Sequence, residues 1–96
     1  MIAQRFTYRI KPGAADRVIE MIHGEETRSE RQGTMRVYQC TFGPGDTIAM
    51  ELDFEDMAEL QAFWQSWFAR PTTPAFFEEW NQIVKHTVSN EVWDLV

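Results

Sequence analysis

The sequence has little of what marks disulfide-linked, membrane-spanning or nucleic-acid-binding proteins. A single cysteine excludes an intrachain disulfide, and a cytoplasmic location is therefore predicted. The longest uncharged run, Leu60 to Ala69, is too short to cross a bilayer, and the alternating N-terminus does not resemble a targeting peptide. A net charge of −6 opposes contact with phosphate backbones and anionic lipids, so neither nucleic acid nor a membrane is expected as a partner.

Side chains with catalytic or metal-binding chemistry are equally scarce. His23 and Glu26 have a spacing that suits two metal ligands on one helix, but no third ligand accompanies them, so no metal site is predicted. His86 is interpreted as an exposed residue near the C-terminal end of the last helix, where positive charge suits the helix dipole. Cys40 is interpreted as an inert thiol buried in the middle of a strand.

Two hydrophobic periods organise the chain, and its 96 residues predict one domain, 1–96. Alternating apolar and polar side chains predict four strands, at Met1–Ile10, Thr34–Phe42, Thr47–Phe54 and Glu91–Val96. Apolar residues at helical spacing predict an amphipathic helix, Ala14–Arg31, and two helical pieces within Met57–Thr87 that are bent at Pro71 and Pro74. This order of elements predicts an α+β, ferredoxin-like βαββαβ fold, with a four-stranded antiparallel sheet and the helices on one face.

The segment Met57–Thr87 holds seven of the thirteen aromatic residues. We interpret these rings as core packing against the apolar face of the sheet, because that face has a matching width. The alternative is a pocket between the helical pieces and the sheet that takes a small apolar or aromatic ligand. The residues predicted to line this ligand-binding site are Tyr8, Arg36, Tyr38, Phe63, Trp64 and Trp67.

The other face of the predicted sheet mixes aromatic side chains with charges of both signs. A sheet face exposed to water is usually more uniformly polar, so a partner is predicted to cover it. Two such sheets packed face to face would form a homodimer, and an ion network of Arg5, Arg9, Arg36, Glu51 and Asp53 is expected across it. The predicted interface residues are Arg5, Thr7, Arg9, Phe42, Glu51 and Asp53.

The segments ELDFEDMAELQAFWQSW and PAFFEEW resemble the third strand and second helix of the dimeric α+β barrel superfamily, which includes NIPSNAP-like and antibiotic-biosynthesis monooxygenase-like domains. The residues at comparable positions are Glu51, Phe54, Ala58, Leu60, Phe63 and Phe76. The resemblance implies that the sheet described above forms a dimeric α+β barrel. NIPSNAP-like is the preferred subfamily because of the long aromatic helix pair.

The resemblance implies three possible functions. Cofactor-independent monooxygenases of this superfamily often carry a histidine on the second helix, where Phe63 and Trp64 stand here. Haem-degrading members need an axial histidine on the second helical piece and an asparagine on the first strand, and this sequence has neither, so no cofactor is expected. The third function is a binding module without chemistry.

The leading expectation is a NIPSNAP-like homodimer that binds a small apolar or aromatic ligand. One alternative is a cofactor-independent monooxygenase of the antibiotic-biosynthesis type, with Tyr38 or Arg36 as the polar group that holds the substrate. Another is a protein-interaction module that uses exposed aromatic side chains. The sequence contains no catalytic signature that decides whether the protein is an enzyme.

Overall fold

The computed structural model describes residues 1–28 and 34–96. Its strands are β1 (Ile2–Ile10), β2 (Met35–Gln39), β3 (Thr47–Phe54) and β4 (Val84–Asp94), and its helices are α1 (Ala15–Arg28), α2 (Met57–Phe68) and α3 (Thr73–Ile83). All neighbouring strands are antiparallel, in the order β2-β3-β1-β4. This arrangement confirms the predicted ferredoxin-like α+β fold. In the described part of the chain, no helix has both the length and the apolar character needed to span a bilayer.

The pairing of β1 with β3 separates two kinds of side chain onto the two faces of the sheet. Phe6 lies opposite Met50, and Tyr8 lies opposite Ile48, on the face that packs against the helices. We call this the helix-covered face. Its core cluster includes side chains from all three helices, and Phe54 is only 1% exposed there. Burying one large apolar side chain contributes roughly 1.5–3 kcal/mol, so this face supplies most of the stability.

The opposite surface, which we call the open face, carries the remaining residues of the same alternation. Arg5 lies opposite Glu51, Ala3 opposite Asp53, and Thr7 opposite Ala49. The register along β1 and β3 therefore confirms the two sets of residues predicted for the two faces. A shift of one residue would exchange the sets, so burial of the apolar set fixes the register.

The helix pair α2–α3 begins and bends where the sequence predicts. The Asp56 side chain accepts a hydrogen bond from the Glu59 backbone amide at 2.9 Å, which caps the start of α2. Between the two helices, the Thr73 hydroxyl donates a buried hydrogen bond of 2.6 Å to the Trp67 carbonyl. This bond satisfies a carbonyl in the last turn of α2 and holds the two helices at a fixed junction.

Strand β4 is longer than the sequence analysis predicts. The second helical piece was expected to reach Thr87, but α3 ends at Ile83 and β4 begins at Val84 rather than at Glu91. An apolar residue at this point fits both a helical stripe and a strand, so periodicity alone does not separate the two. Pairing with almost the whole length of β1 decides in favour of the strand, which also suits the β-branched residues in this segment.

Two predicted environments change because strand ends differ from expectation. His86 is exposed, as predicted, but it lies in β4 opposite Arg9 rather than in a helix. Strand β2 ends at Gln39, which leaves Cys40 outside the strand and exposed rather than buried in its middle. Phe42 follows in the same connection and is 96% exposed.

Candidate functional site

A cavity of about 360 Å³ lies between the helices and the helix-covered face. Small-molecule sites commonly have volumes of roughly 300–1,000 Å³, so the cavity is large enough for a compact ligand. Nine aromatic side chains line it: Phe6, Tyr8, Phe63, Trp64, Trp67, Phe68, Phe76, Phe77 and Trp80. The other lining residues are Gln4, Ile22, Glu25, Thr34, Met35, Met50, Leu52, Thr87 and Asn90.

The aromatic wall of the cavity is held by edge-to-face contacts. Trp64 meets Phe6 and Trp67 with ring centroids 5.6 and 5.7 Å apart and with the rings nearly perpendicular. Across the cavity, Trp80 meets Tyr8 in the same way at 5.0 Å. Aromatic pairs in this geometry contribute about 0.5–1.5 kcal/mol each beyond their burial, so the wall is formed before a ligand enters.

A hydrogen-bonded chain of three side chains crosses the floor of the cavity. The Trp64 Nε1 donates to Gln4 Oε1 at 2.6 Å, and Gln4 Nε2 donates to Asn90 Oδ1 at 3.0 Å. Gln4 is only 6% exposed, and these bonds offset the cost of burying its amide. Gln4 was not predicted as a site residue, although a polar residue between Ile2 and Phe6 on an apolar face was an available signal.

Tyr8 brings a second polar group to the cavity. The residue is 7% exposed, and burial raises the pKa of its hydroxyl above the ordinary value. The hydroxyl is therefore protonated at neutral pH. Among the residues that the structure describes, no group forms a hydrogen bond with it. A buried hydroxyl without a protein partner is costly, so this group is suited to donate to a bound molecule.

Helix α1 closes one side of the cavity through Glu25. The Trp67 Nε1 donates to Glu25 Oε2 at 3.2 Å, and Arg70 Nη1 lies 3.8 Å from the same oxygen. The carboxylate thus connects α1 to the junction of α2 and α3. Because Arg70 neutralises the charge of Glu25, the cavity wall does not select for a charged ligand.

The cavity brings together four of the six predicted ligand-site residues: Tyr8, Phe63, Trp64 and Trp67. Arg36 and Tyr38 do not line it. In β2 the side chains alternate so that Met35 faces the cavity, whereas Arg36 pairs in register with Glu51 on the open face. Arg36 and Tyr38 therefore lie with Glu51 on the open face, apart from the other four predicted residues.

On the open face, five side chains form one network. Glu51 accepts hydrogen bonds from Arg5 at 3.0 Å, from Arg36 at 3.3 Å and from Tyr38 at 2.9 Å. Arg36 also holds Asp53 with two hydrogen bonds, of 2.8 and 3.1 Å. Burial raises the pKa of the Glu51 carboxyl, but the hydrogen bonds from Tyr38, Arg36 and Arg5 outweigh this effect and hold the pKa below its ordinary value.

The predicted interface residues divide into those that share the open face and those that do not. Arg5, Thr7, Glu51 and Asp53 lie there together. Arg9 follows Thr7 in the same alternation, opposite Thr47, but it donates to the Gly45 carbonyl at 2.7 Å rather than to a carboxylate of the network. Phe42 lies beyond the end of β2. The ion pairs of Arg5 and Arg36 with Glu51 and Asp53 form within one chain, and the network across two chains stays a prediction.

Within residues 1–28 and 34–96, no three His, Cys, Asp or Glu side chains come together in an arrangement that could hold a metal ion. His23 is exposed on α1, and the side chain of Glu26, its predicted partner, lies outside the described residues.

Comparison with known proteins gives a consistent fold. No protein-family model and no curated protein matches the chain. A NIPSNAP family protein with unknown function from Agrobacterium tumefaciens has a TM-score of 0.84 at 18% identity, covering 100% of this chain and 88% of its own. A NIPSNAP domain protein from Burkholderia xenovorans gives 0.83 at 18% identity, covering 100% of this chain and 95% of its own.

A putative antibiotic biosynthesis monooxygenase from Chloroflexus aurantiacus has a TM-score of 0.72 at 16% identity, covering 99% of this chain and 92% of its own. Identities this low relate the proteins by fold. The predicted resemblance is confirmed at that level: this chain has the fold shared by NIPSNAP family and antibiotic biosynthesis monooxygenase-like proteins.

Proposed function

We propose that this chain is a homodimeric binding protein that takes a small apolar or aromatic ligand into the cavity between the helix pair and the sheet. The cavity is the observation that carries the proposal. Proteins commonly bind small molecules in concave, mostly apolar pockets that carry a few polar groups. Aromatic side chains that served only as core would close onto the sheet, but here they line a pocket of about 360 Å³ that is open to solvent beside the exposed side chains of Thr87 and Asn90.

The lining favours a flat, neutral ligand. Aromatic rings make up half of the lining residues, and apolar surface buried on them contributes roughly 25 cal/mol per Å². The carboxylate in the wall, Glu25, is balanced by Arg70. The polar groups that remain, such as the Tyr8 hydroxyl, are uncharged and can orient a ligand without requiring it to be an ion.

Thermal-shift screening against quinones, polyphenols, haem and fatty acids tests the ligand class. A ligand at about 100 times its dissociation constant stabilises the native state by roughly 2.7 kcal/mol, and we expect this from flat aromatic members of the panel. The screen is run in parallel on Cys40→Ser, because the exposed thiol of Cys40 can react covalently with quinones. A flat response across the panel contradicts the proposal.

A matched pair of variants shows whether a responding ligand occupies the cavity. Thr87 lines the cavity but is itself exposed, so Thr87→Trp places an indole in the space without removing a core contact. We expect this variant to lose the ligand-induced shift. Gln82→Trp adds the same side chain to an exposed position on α3 and should keep the shift. Equal responses from both variants place the ligand elsewhere.

A cofactor-independent monooxygenase is the second candidate, favoured by the apolar cavity and by the fold shared with a putative antibiotic biosynthesis monooxygenase. Such chemistry needs a group that removes a proton from the substrate. Tyr8 cannot accept this proton at neutral pH, because burial raises the pKa of its hydroxyl and keeps it protonated. Oxygen uptake on addition of an activated phenol, abolished by Thr87→Trp, would favour the enzyme over the binding protein.

The protein-interaction alternative depends on a patch of exposed aromatic side chains on the helix pair. Such a patch would consist of Trp64, Trp67, Phe68, Phe77 and Trp80. Phe68 is 59% exposed, but Trp67 and Trp80 are buried and the other two are half-buried. One exposed ring does not make a contiguous patch, so the cavity receives more support than this surface.

The order of charges on the open face supports the homodimer. Arg36, Glu51, Arg5 and Glu91 lie in register across all four strands, so positive and negative side chains alternate along one row. A two-fold axis places a surface against its own copy. An alternating row can meet the opposite charges of a second copy, whereas a row of one sign would repel it.

Sedimentation velocity at micromolar concentration tests the dimer. Thr7 lies opposite Ala49 and Ser89, near the middle of the open face, and Thr7→Arg adds bulk and positive charge there. We expect wild type to sediment as a dimer and Thr7→Arg as a monomer. Gln82→Arg adds the same charge on α3 and should leave the dimer intact. A wild-type monomer at this concentration overturns the homodimer but leaves the ligand proposal standing.

A further inference from the structure

The hydrogen-bonded chain on the cavity floor has a direction that its chemistry fixes. An indole Nε1–H can only donate, so the group of Gln4 that faces Trp64 must be its oxygen. The Gln4 amide is therefore oriented with its NH₂ group towards Asn90. Because an NH₂ group can also only donate, the group of Asn90 that faces Gln4 must be an acceptor.

Asn90 therefore accepts from Gln4 through its side-chain oxygen, and its own NH₂ group points away from Gln4. Asn90 lines the cavity from β4, and among the described residues no protein group accepts from its Nδ2. Tyr8 lines the same cavity with a buried hydroxyl that donates to none of the described residues. The floor thus supplies two donors and no matching acceptor for them.

The two donors lie on neighbouring strands and on the same face. Asn90 is opposite Phe6, and Tyr8 is the next residue of β1 that points to the helix-covered face. Two residues along a strand span roughly 7 Å, a distance that the side chains can bridge towards one bound group. Because burial raises the pKa of the Tyr8 hydroxyl, that donor keeps its proton at neutral pH.

We propose that the cavity selects flat aromatic ligands that carry a carbonyl oxygen, which accepts hydrogen bonds from the Tyr8 hydroxyl and the Asn90 side-chain amide. Trp64 and Gln4 are positioning residues, because they set the direction in which Asn90 presents its donor. This inference rests on the proposed ligand-binding function and adds the chemical class of the ligand.

Two ligands with the same ring skeleton test the inference. Fluorenone carries one carbonyl oxygen, fluorene carries none, and neither is a quinone that would modify Cys40. We expect wild type to bind fluorenone about tenfold more tightly than fluorene, as two neutral hydrogen bonds allow. Tyr8→Phe should reduce fluorenone affinity about threefold to tenfold and leave fluorene affinity unchanged, measured by isothermal titration calorimetry or tryptophan fluorescence.

The positioning role of Gln4 is tested by a separate measurement, the ratio of the affinities for fluorenone and for fluorenol. Fluorenol is the corresponding alcohol and, unlike fluorenone, can donate a hydrogen bond. In Gln4→Glu the new carboxylate still accepts from Trp64 but cannot donate to Asn90, so Asn90 should turn its NH₂ group inward and offer its oxygen to the cavity. We expect the preference to change in favour of fluorenol. Asn90→Asp removes the donor at an exposed site that the fold tolerates, and it should change the preference in the same direction.

The outcomes separate the two proposals. If neither fluorene nor fluorenone binds, and the wider aromatic panel also gives no response, the ligand-binding function fails and the inference fails with it. If both bind with equal affinity and Tyr8→Phe changes neither, the ligand-binding function stands and the inference is wrong. If Asn90→Asp binds fluorenone as wild type does, Asn90 is not one of the donors and the inference is overturned in that form.

Discussion

The helix-covered face and the open face of the sheet differ in where their contacts come from. On the helix-covered face, apolar side chains from the sheet meet helices that are distant in the chain. On the open face, the ion pairs join side chains of adjacent strands. Exposed ion pairs contribute about 0–1 kcal/mol each, against roughly 1.5–3 kcal/mol for a buried large side chain. The helix-covered face therefore stabilises the fold, and the open face arranges charged side chains on a surface.

The largest expected effect is on the helix-covered face. Phe54 is 1% exposed and packs against Phe63 with ring centroids 5.6 Å apart. Phe54→Ala should lower the free energy of unfolding by about 3–5 kcal/mol, because it removes apolar contact and leaves a void. Urea denaturation measures the loss. The neighbouring variant Asp53→Asn, on the open face, should cost about 1 kcal/mol or less; equal losses would contradict the division between the faces.

The next effect comes from Glu51, which accepts three hydrogen bonds on the open face. Glu51→Gln should lower the free energy of unfolding by about 1–2 kcal/mol at pH 7, since hydrogen bonds to a charged group are replaced by neutral ones. The cost should also depend on pH. The folded-state pKa of Glu51 lies below its ordinary value of 4.5, so the unfolded chain binds the proton more readily.

The sign of that dependence follows directly. The stability from Glu51 is fully present well above pH 4.5 and is lost as the pH falls through the lowered folded-state pKa. Urea titrations at a series of pH values should show wild type and Glu51→Gln converging in acid. A difference between them that stays constant down to the acid transition would show that the charge of Glu51 has no role in stability.

A smaller change in the free energy of unfolding, an increase rather than a decrease, is expected from a substitution inside the cavity. Tyr8→Phe removes a buried hydroxyl that no described residue pairs with, so the ligand-free protein should keep its stability or gain up to about 1 kcal/mol. Thermal or urea unfolding without ligand measures this change. A clear loss of stability would mean that the hydroxyl already has a partner in the free protein, and the case for it as a ligand donor would fall.

The smallest effect is expected at Cys40, which lies beyond the end of β2. Because the thiol is exposed, Cys40→Ser should change the free energy of unfolding by no more than about 0.5 kcal/mol. A thiol reagent should label Cys40 in the native protein at nearly the rate seen after unfolding. Protection of the thiol in the native state would show that the segment after β2 is covered, for example by a second subunit.

Sequence alone predicted the two faces where alternation is uninterrupted. Every second residue is large and apolar in β3, and also in β1 with the exception of Gln4, and only one register buries the apolar set. The beginning of β4 could not be predicted in this way. Val84 fits both periods, and the pairing of Tyr8 with Thr87 that decides between them joins residues far apart in the chain.

The site was predictable only in its apolar half. Trp64 and Trp67 are visible from helical spacing, whereas Gln4 is polar and is buried only because Trp64, sixty positions later, supplies its hydrogen bond. Arg36 was predicted in two places, beside the ligand and in the ion network on the other face of the sheet. The period of two in β2 supports only the second, and the register with Glu51 places Arg36 on the open face.

The four tryptophans give the protein separate optical reporters for its two surfaces. Trp64, Trp67 and Trp80 surround the cavity, whereas Trp93 lies opposite Ala3 on the open face and is 57% exposed. In Trp93→Phe all indole emission comes from the cavity wall, so quenching would report occupancy alone. Subtracting that spectrum from the wild-type spectrum isolates the emission of Trp93, whose wavelength follows the hydration of the open face. Ligand binding in the cavity and covering of the open face can therefore both be observed without an added dye.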